Sequence, residues 1–328
     1  PITLIPTGTG EPFLVHEDDR GVTFWRLMVR IPDCRTYKSL SEVRDLQERL
    51  WLAEQAGRGL AIYFSTTAGM DASRLHTPLP GYRDTGLYYR QLHAALAGCG
   101  SDEEAAPFLP DDPLLRHSTE RHFRLHLSVD EHRRRISDPK LQRFINLALH
   151  QERFAMTLLE AMDSGRIRRV AIHGDTKLDN FLFCARTGRV KAMVDLDTIM
   201  PHTWLADWGD MVRSLVNVAG ERETSLRRVQ VDMQVYDALA RGFLGASGPL
   251  PPEEVALMHD AVEIIALELG VRFLADYLRG DSYFLLGPSD PPDLNRTRAM
   301  VQLTLFERLR EQREEARTRI SRLACSDP

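Results

Sequence analysis

The sequence predicts an α+β fold in which a short β segment feeds a large, mainly helical remainder. Three observations predict it. Residues 1–33 mix turn residues with β-branched and aromatic ones. Most of the remaining chain spaces its apolar residues three and four apart, the period of a helix with one buried face. Near the middle, short apolar runs at 170–172, 181–183 and 190–194 end on loops rich in Asp, Asn and Gly.

Taken in order, Thr7, Gly8, Thr9 and Gly10 form a turn cluster. Residues 22–31 read as a strand, closed by Pro32 and Asp33. A helix is expected over 39–56, with Leu40, Val43, Leu46, Leu50 and Ala53 on one face. Leu79-Pro80-Gly81 breaks the chain before a helix over 88–96, and 98–113 reads as a loop rich in Gly, Pro, Ser and acids. Asp138 as N-cap and Pro139 in the first turn open a helix over 139–163. Strands at 181–183 and 190–194 flank a turn at Thr187-Gly188, and the second ends at Asp195. A helix is expected to start after Asp207, with Asp207 as its N-cap and Asp210 three residues on, much like a capping box. Residues 253–279 form a long helix with an apolar face from Val255 to Tyr277. The last helix spans about 294–323, and its charged end is expected to project into solvent.

Composition excludes several functions. With 43% hydrophobic and 27% charged residues, the 328-residue chain is ordinary for a globular protein. A net charge of -5 and no basic face argue against nucleic acid as a partner. No apolar run is long enough to span a bilayer, and no signal peptide is visible, so a cytoplasmic location is expected. The four cysteines, Cys34, Cys99, Cys184 and Cys325, lie far apart with no C-x-x-C pair. That spacing argues against a zinc ribbon, a redox dithiol or a disulfide scaffold.

The chemistry concentrates in His173-Gly174-Asp175-Thr176-Lys177-Leu178-Asp179-Asn180, followed fifteen residues later by Asp195. Phosphoryl transfer from ATP needs a carboxylate to orient the acceptor hydroxyl and take its proton. It also needs an amide oxygen and a second carboxylate to hold Mg²⁺ against the phosphates. Asp175 fits the first role, and Asn180 with Asp195 fits the second. Lys177 fits the stabilisation of charge on the transferring group. A lone H-x-D would read more readily as a turn or cap, but the full set follows the kinase pattern H-R-D-x-x-x-x-N with a distal Asp. His173 reads as a buried residue that shapes the loop. Trp204 and Trp208 read as core.

The runs HGDTKLDNFLF (173–183), VDLDTIMP (194–201) and LADWGD (205–210) resemble the aminoglycoside-phosphotransferase superfamily, in particular the branch containing N-acetylhexosamine 1-kinase. Trp25-Arg26, the run 79–85, the run 272–278, Tyr283-Phe284 and the run 295–298 extend the resemblance over nearly the whole chain. It implies a protein-kinase-like two-lobe fold, with ATP and Mg²⁺ as cofactors and a small hydroxyl-bearing molecule, sugar or amino sugar, as acceptor. It places the catalytic aspartate on Asp175 and the metal ligands on Asn180 and Asp195. It also places sugar contacts on Arg272 and Tyr283. Those two residues read equally well as an arginine paired with Asp276 or Asp281 and an aromatic packed beneath the cleft. Asp197, Asp207 and Asp210 match motif positions and read as loop braces and caps.

Two departures from the family pattern stand out. Tyr82-Arg83-Asp84-Thr85 occupies a place where the branch has Phe-His-Asp-Thr. Arg83 brings a permanent charge, which suits an acceptor bearing a carboxylate or phosphate, unless the side chain faces solvent. Second, the N-terminal β lobe is expected to be truncated. Residues 1–33 supply only its last strands, and 34–328 supply the hinge and the C-terminal catalytic lobe. A β-hairpin over the phosphates is expected in a longer natural protein. The rival expectation is a catalytically silent pseudokinase that binds a ligand or partner. A two-metal phosphohydrolase would need a second His/Asp cluster that the sequence does not contain.

Overall fold

The structure, a computed structural model, describes residues 3–325. Pro1, and the last residues of the expected 34–328 unit, lie outside the described residues.

The chain begins with four short strands: β1 (Leu4–Ile5), β2 (Leu14–Asp18), β3 (Gly21–Trp25) and β4 (Leu27–Met28). β2 and β3 form an antiparallel hairpin, and β1 pairs with β4. The strand expected over 22–31 is thus two pieces, interrupted at Arg26. No residue from 3 to 33 is buried, and Phe24 is 67% exposed. Three contacts tie this segment to the body. Arg26 pairs with Asp197, Lys191 Nζ donates to Pro32 O, and Ala185 N donates to Asp33 O.

β5 (Cys34–Arg35) then enters the body's small antiparallel sheet. α1 (Leu46–Thr67) starts later and runs further than the spacing suggested. Asp45 caps it by accepting from Glu48 N at 2.8 Å, while Leu40–Glu42 makes a separate 3₁₀ turn. α2 (Thr85–Ala97) is capped by Asp84 and ends at Gly98 in the left-handed conformation. The stretch expected as a loop contains α3 (Asp102–Ala105), capped by Ser101, and leads into α4 (Pro113–Thr119), capped by Asp112. These Ser and Asp-Pro caps were visible in the sequence, and the high Gly and acid content obscured them. α5 (Val129–Ile136) follows. The helix expected over 139–163 is divided at Gln151 and Met156 into α6 (Pro139–His150), α7 (Glu152–Ala155) and α8 (Thr157–Asp163). Asp138 caps α6 by accepting from Lys140 N.

β6 (Val170–Ile172), β7 (Phe181–Cys184), β8 (Val190–Met193) and β9 (Met200–His202) carry the central motif. β5, β7 and β8 form one three-stranded sheet, and β6 pairs with β9. α9 spans Trp204–Val216 and is capped by Thr203, which corrects the expectation of Asp207 as N-cap. Asp207 lies in the first turn, buried, with its carboxylate turned to other work.

α10 (Met233–Leu244), α11 (Pro252–Ala256), α12 (Met258–Arg279), α13 (Leu294–Glu311) and α14 (Arg313–Ala324) complete the body. α12 is buried on nearly every side, as befits a helix apolar around most of its circumference. It packs against α2, α9 and α13. α1 crosses α10 with no side-chain cushion. A Cβ on Gly57 would lie 2.2 Å from Leu239 O, and one on Gly242 would lie 1.9 Å from Glu54 O. α1 also presses on the sheet, where a Cβ on Gly59 would meet Val190 Cγ2 at 2.8 Å.

The charged end of the last helix does not project into solvent. α14 packs on α10, α11 and α12, burying Ala316 and Ile320. Its arginines dock on acids of other helices: Arg313 on buried Glu263, Arg317 on buried Asp260 and Arg319 on half-buried Asp237. Helical spacing shows which face is charged, but it cannot show that acids on other helices await that charge. Among the described residues, no helix is long and apolar enough to cross a membrane.

The four cysteines are free thiols, in line with the expected absence of a disulfide scaffold. Cys34 and Cys184 are direct partners across β5 and β7, although far apart in the chain.

Candidate active site

The loop after β6 is held by carboxylates from α9. Asp207 accepts from His173 N at 2.6 Å and from Gly174 N at 2.8 Å. Asp210 accepts from Thr176 N at 3.1 Å, and Thr176 Oγ1 donates to Asp207 O at 2.7 Å. These aspartates stand one helical turn apart, so both face the loop. Their electrostatics differ. Burial raises the pKa of Asp207, which only backbone N–H groups, His173 and the more distant Arg83 oppose. Burial works the same way on Asp210, but Arg213 and Arg83 outweigh it and hold its carboxyl far below the usual range.

Gly174 sits at φ +86°, and a Cβ there would lie 2.6 Å from Thr198 O. Only glycine fits this turn without displacing backbone. The Gly174 carbonyl accepts from Tyr82 Oη at 2.7 Å and from Arg83 Nη2 at 3.0 Å. His173 is fully buried, with Nε2 2.9 Å from Val194 O, a loop-shaping contact as the sequence suggested.

This bracing presents three of the expected residues together. Asp175 Oδ2 lies 2.7 Å from Lys177 Nζ and accepts from Asn180 Nδ2 at 3.1 Å. The Asn180 amide also donates to Asp175 O at 2.7 Å. Burial works against the Lys177 charge, but the hydrogen bond and charge of Asp175 outweigh it and raise its pKa. Burial raises the carboxyl of the neighbouring Asp179. Asp195 stands on the next strand end. Val194 N donates to Asn180 O at 2.9 Å, which sets the ends of β7 and β8 side by side. Asp195 is exposed and left-handed, at φ 66° and ψ 62°. For a non-glycine residue that conformation is a strained one, most tolerated in Asp and Asn.

The donor set suits Mg²⁺. Both N–H groups of the Asn180 amide are spent on Asp175, which leaves its oxygen as the outward acceptor. Asp195 adds a free hard carboxylate, and Mg²⁺ favours one or two such ligands, completed by phosphate oxygens and water. Among the described residues no group of three or more His, Cys, Asp or Glu could hold a metal by itself.

Asp175 and Lys177 open into a cavity of about 730 Å³, a volume typical of small-molecule sites. Arg83, Arg272 and Tyr283 line the same cavity. Arg83 does not face solvent. It is 4% exposed, and its guanidinium lies 3.2 Å from Asp210 and 3.4 Å from Glu268. Arg272 pairs with neither Asp276 nor Asp281. Those acids take Arg279 and Arg135 instead. Arg272 lies among the rings of Tyr82, Tyr88, Tyr283 and Phe284, 4.7–5.5 Å from their centroids. Its Nη2 is 3.3 Å from Tyr283 Oη. Tyr283 is not packed beneath the cleft; it is 40% exposed. Trp204 and Trp208 are buried core residues with their indole N–H groups satisfied by Glu254 and Met258 O.

The sequence reading missed Glu268 and the part played by Asp276. Glu268 binds Arg83 and accepts from Thr85 Oγ1 at 2.7 Å. Asp276 accepts from Tyr283 N and Phe284 N and fixes the turn that carries Tyr283. A signal existed: both are acids within an otherwise apolar helical face, and a buried acid needs a partner.

Comparisons with known proteins bear on the fold and the family. Among solved structures, a microcompartment-associated aminopropanol kinase superposes with a TM-score of 0.54 at 12% identity, covering 97% of this chain and 77% of that one. At that identity the likeness is one of fold. A choline/ethanolamine kinase family protein from Mesorhizobium loti matches more loosely, with a TM-score of 0.45 at 16% identity over 96% of this chain and 79% of its own. The kinase-like α+β architecture, with its helical C-terminal lobe, is therefore seen in a known small-molecule kinase. The model of the phosphotransferase enzyme family (APH) matches residues 2–243, which include the whole braced loop and both strand ends. The chain therefore belongs to the phosphotransferase enzyme family and is a small-molecule phosphotransferase acting on an alcohol group.

Proposed function

We propose that this enzyme transfers the γ-phosphoryl group of ATP to a hydroxyl of a sugar or amino sugar. One observation carries the reading: a carboxylate held by an amide and an ammonium opens directly into a cavity large enough for such an acceptor. Asp175 orients the acceptor hydroxyl and takes its proton. Lys177 stays protonated beside it and steadies charge on the transferring group. Asn180 and Asp195 would hold Mg²⁺, which supplies charge neutralisation at the phosphates when bound.

The cavity's charges support a polyhydroxylated acceptor over a simple ammonium alcohol. Its deeper acids are already matched: Asp210 by Arg83 and Arg213, and Glu221 by Arg213 and Arg298. Neither of these two carboxylates is free to take an ammonium. Hydroxyls can use the Arg272 guanidinium and the Tyr283 phenol, both of which we assign to the acceptor. Arg83 forms the wall between acceptor and loop, its charge shared with Asp210 and Glu268.

Asp175→Asn removes the base and keeps the shape. It is expected to lower turnover about 10²–10⁴-fold, with an unchanged unfolding midpoint, in an ADP-release screen of sugars, amino sugars and amino alcohols. Turnover within threefold of wild type would refute the assignment. Absence of turnover with every acceptor, together with no Mg-ATP binding by calorimetry, would favour the silent binding module.

A further inference from the structure

Cys34 and Cys184 are free thiols at directly opposed positions of β5 and β7. Ala185 N donates to Asp33 O at 2.9 Å, the ladder bond just outside the pair. The pair itself is therefore of the non-hydrogen-bonded kind. In such pairs the α-carbons approach to about 4.5 Å and the two side chains lie close on the same face. A disulfide needs α-carbons roughly 4.4–6.8 Å apart. The backbone already stands where the bond requires it.

The two thiols are chemically unequal. Hydrogen bonds from the Thr187 side chain and from the Arg186 and Thr187 backbone lower the Cys184 pKa to about 7, and Lys191 adds to the effect. A half-buried thiol of that acidity is about half thiolate at neutral pH and open to attack on an oxidant. Cys34 Sγ donates to Pro32 O at 3.3 Å, and Lys191 Nζ donates to the same carbonyl at 2.8 Å. The lysine that favours the Cys184 thiolate is thus anchored beside Cys34. Cys99 differs: it is buried, its Sγ donates to Glu104 O, and burial raises its pKa.

We propose that Cys34 and Cys184 form a reversible dithiol that closes to a disulfide when a low-molecular-weight disulfide is present. The Cys184 thiolate attacks one sulfur of the oxidant RSSR, forming Cys184–S–SR and releasing RS⁻. Cys34 then gives up its proton and attacks Cys184 Sγ, forming the intramolecular bond and releasing the second RS⁻. The two thiolates take up the protons that Cys184 and Cys34 lost. The protein gives two electrons, and the oxidant becomes two RSH. The new bond bolts β5, the exit from the N-terminal strands, to β7, which begins directly after Asn180. The inference is independent of the acceptor and of the phosphotransfer roles assigned above.

The test is a cysteine map of the full chain after incubation with oxidised glutathione, followed by alkylation, digestion and mass spectrometry. The expected product is one peptide pair joined through Cys34 and Cys184, reversible by dithiothreitol, with Cys99 and Cys325 alkylated. In Cys34→Ser, Cys184 should instead retain glutathione. Alkylation of reduced Cys184 should show a pH midpoint near 7. The proposal is overturned if wild-type Cys184 ends as a stable glutathione adduct with Cys34 still alkylable. It is equally overturned if the linkage joins two chains on a non-reducing gel. The wild-type map decides alone should the serine variant not fold.

Discussion

Residues 3–33 and the loop from His173 to Asn180 are both short segments flanked by strands, yet they are held in opposite ways. In the loop, backbone N–H groups of His173, Gly174 and Thr176 find buried carboxylates on α9, and the Gly174 carbonyl finds Tyr82 and Arg83. In the N-terminal segment no residue is buried, and Phe24, Trp25 and Leu27 point apolar surface outward. Three contacts tie it to the body. The contrast teaches where positional accuracy comes from in this molecule. It comes from polar partners that the helices deliver into a dry interior, where an unmatched donor is costly.

The sharpest way to break this contrast is Asp207→Ala. It strips the acceptor from two buried N–H groups and should cost about 3–5 kcal/mol, read as a lowered midpoint in urea. Asp207→Asn, which keeps one oxygen, should recover roughly half of that. A loss below about 1 kcal/mol for the alanine variant would mean the loop is held by something other than α9.

A smaller effect should appear on acidification. His202 and His122 are buried, and burial first, then nearby arginines, lowers their pKa values to about 3. Arg83 and Arg169 act on His202, and Arg279 and Arg121 on His122. Backbone hydrogen bonds with Arg83 and Thr203 act the other way on His202 without reversing the shift. The unfolded chain binds these protons near pH 6.5, but the folded chain does so only near 3. Their contribution to stability is therefore complete above pH 6.5 and is lost as pH falls towards 3, by on the order of 1 kcal/mol per pH unit for each histidine. His202→Phe should flatten that slope by about one histidine's share. An unchanged slope would exclude His202 as a source.

The smallest expected effect lies in the other region. Phe24→Ser should change stability of the body by no more than about 0.5 kcal/mol, because Phe24 is 67% exposed and its ring contact is with Phe13, itself at the surface. A larger loss would show that the N-terminal strands share the cooperative core after all.

Much of this was legible in the sequence. The α+β class follows from a change of period near residue 34, and the family follows from the motif runs around Asp175, Asn180 and Asp195. Local signals such as Asp138-Pro139 marked their helix start correctly. What escaped is long-range. Asp207 has the composition of a cap but serves a loop on another strand. The arginines of α14 look like a solvated face until Glu263 and Asp260 are placed beside them. Cys34 and Cys184 look unrelated until β5 and β7 pair in register. Periodicity tells which face of an element is apolar, but it does not tell which element arrives opposite.

The glycine crossing of α1 and α10 has a mechanical consequence. Main chain rests on main chain at Gly57 and Gly242, and α1 bears in turn on Val190 through Gly59. Soft side chains can absorb a displacement by changing rotamer, but peptide planes in contact cannot. A push on α10 is therefore passed directly to α1, and from there through the Val190 side chain to β8, the strand that leads to Asp195. The outer helix α10 and the strand that leads to Asp195 are thus mechanically coupled through α1.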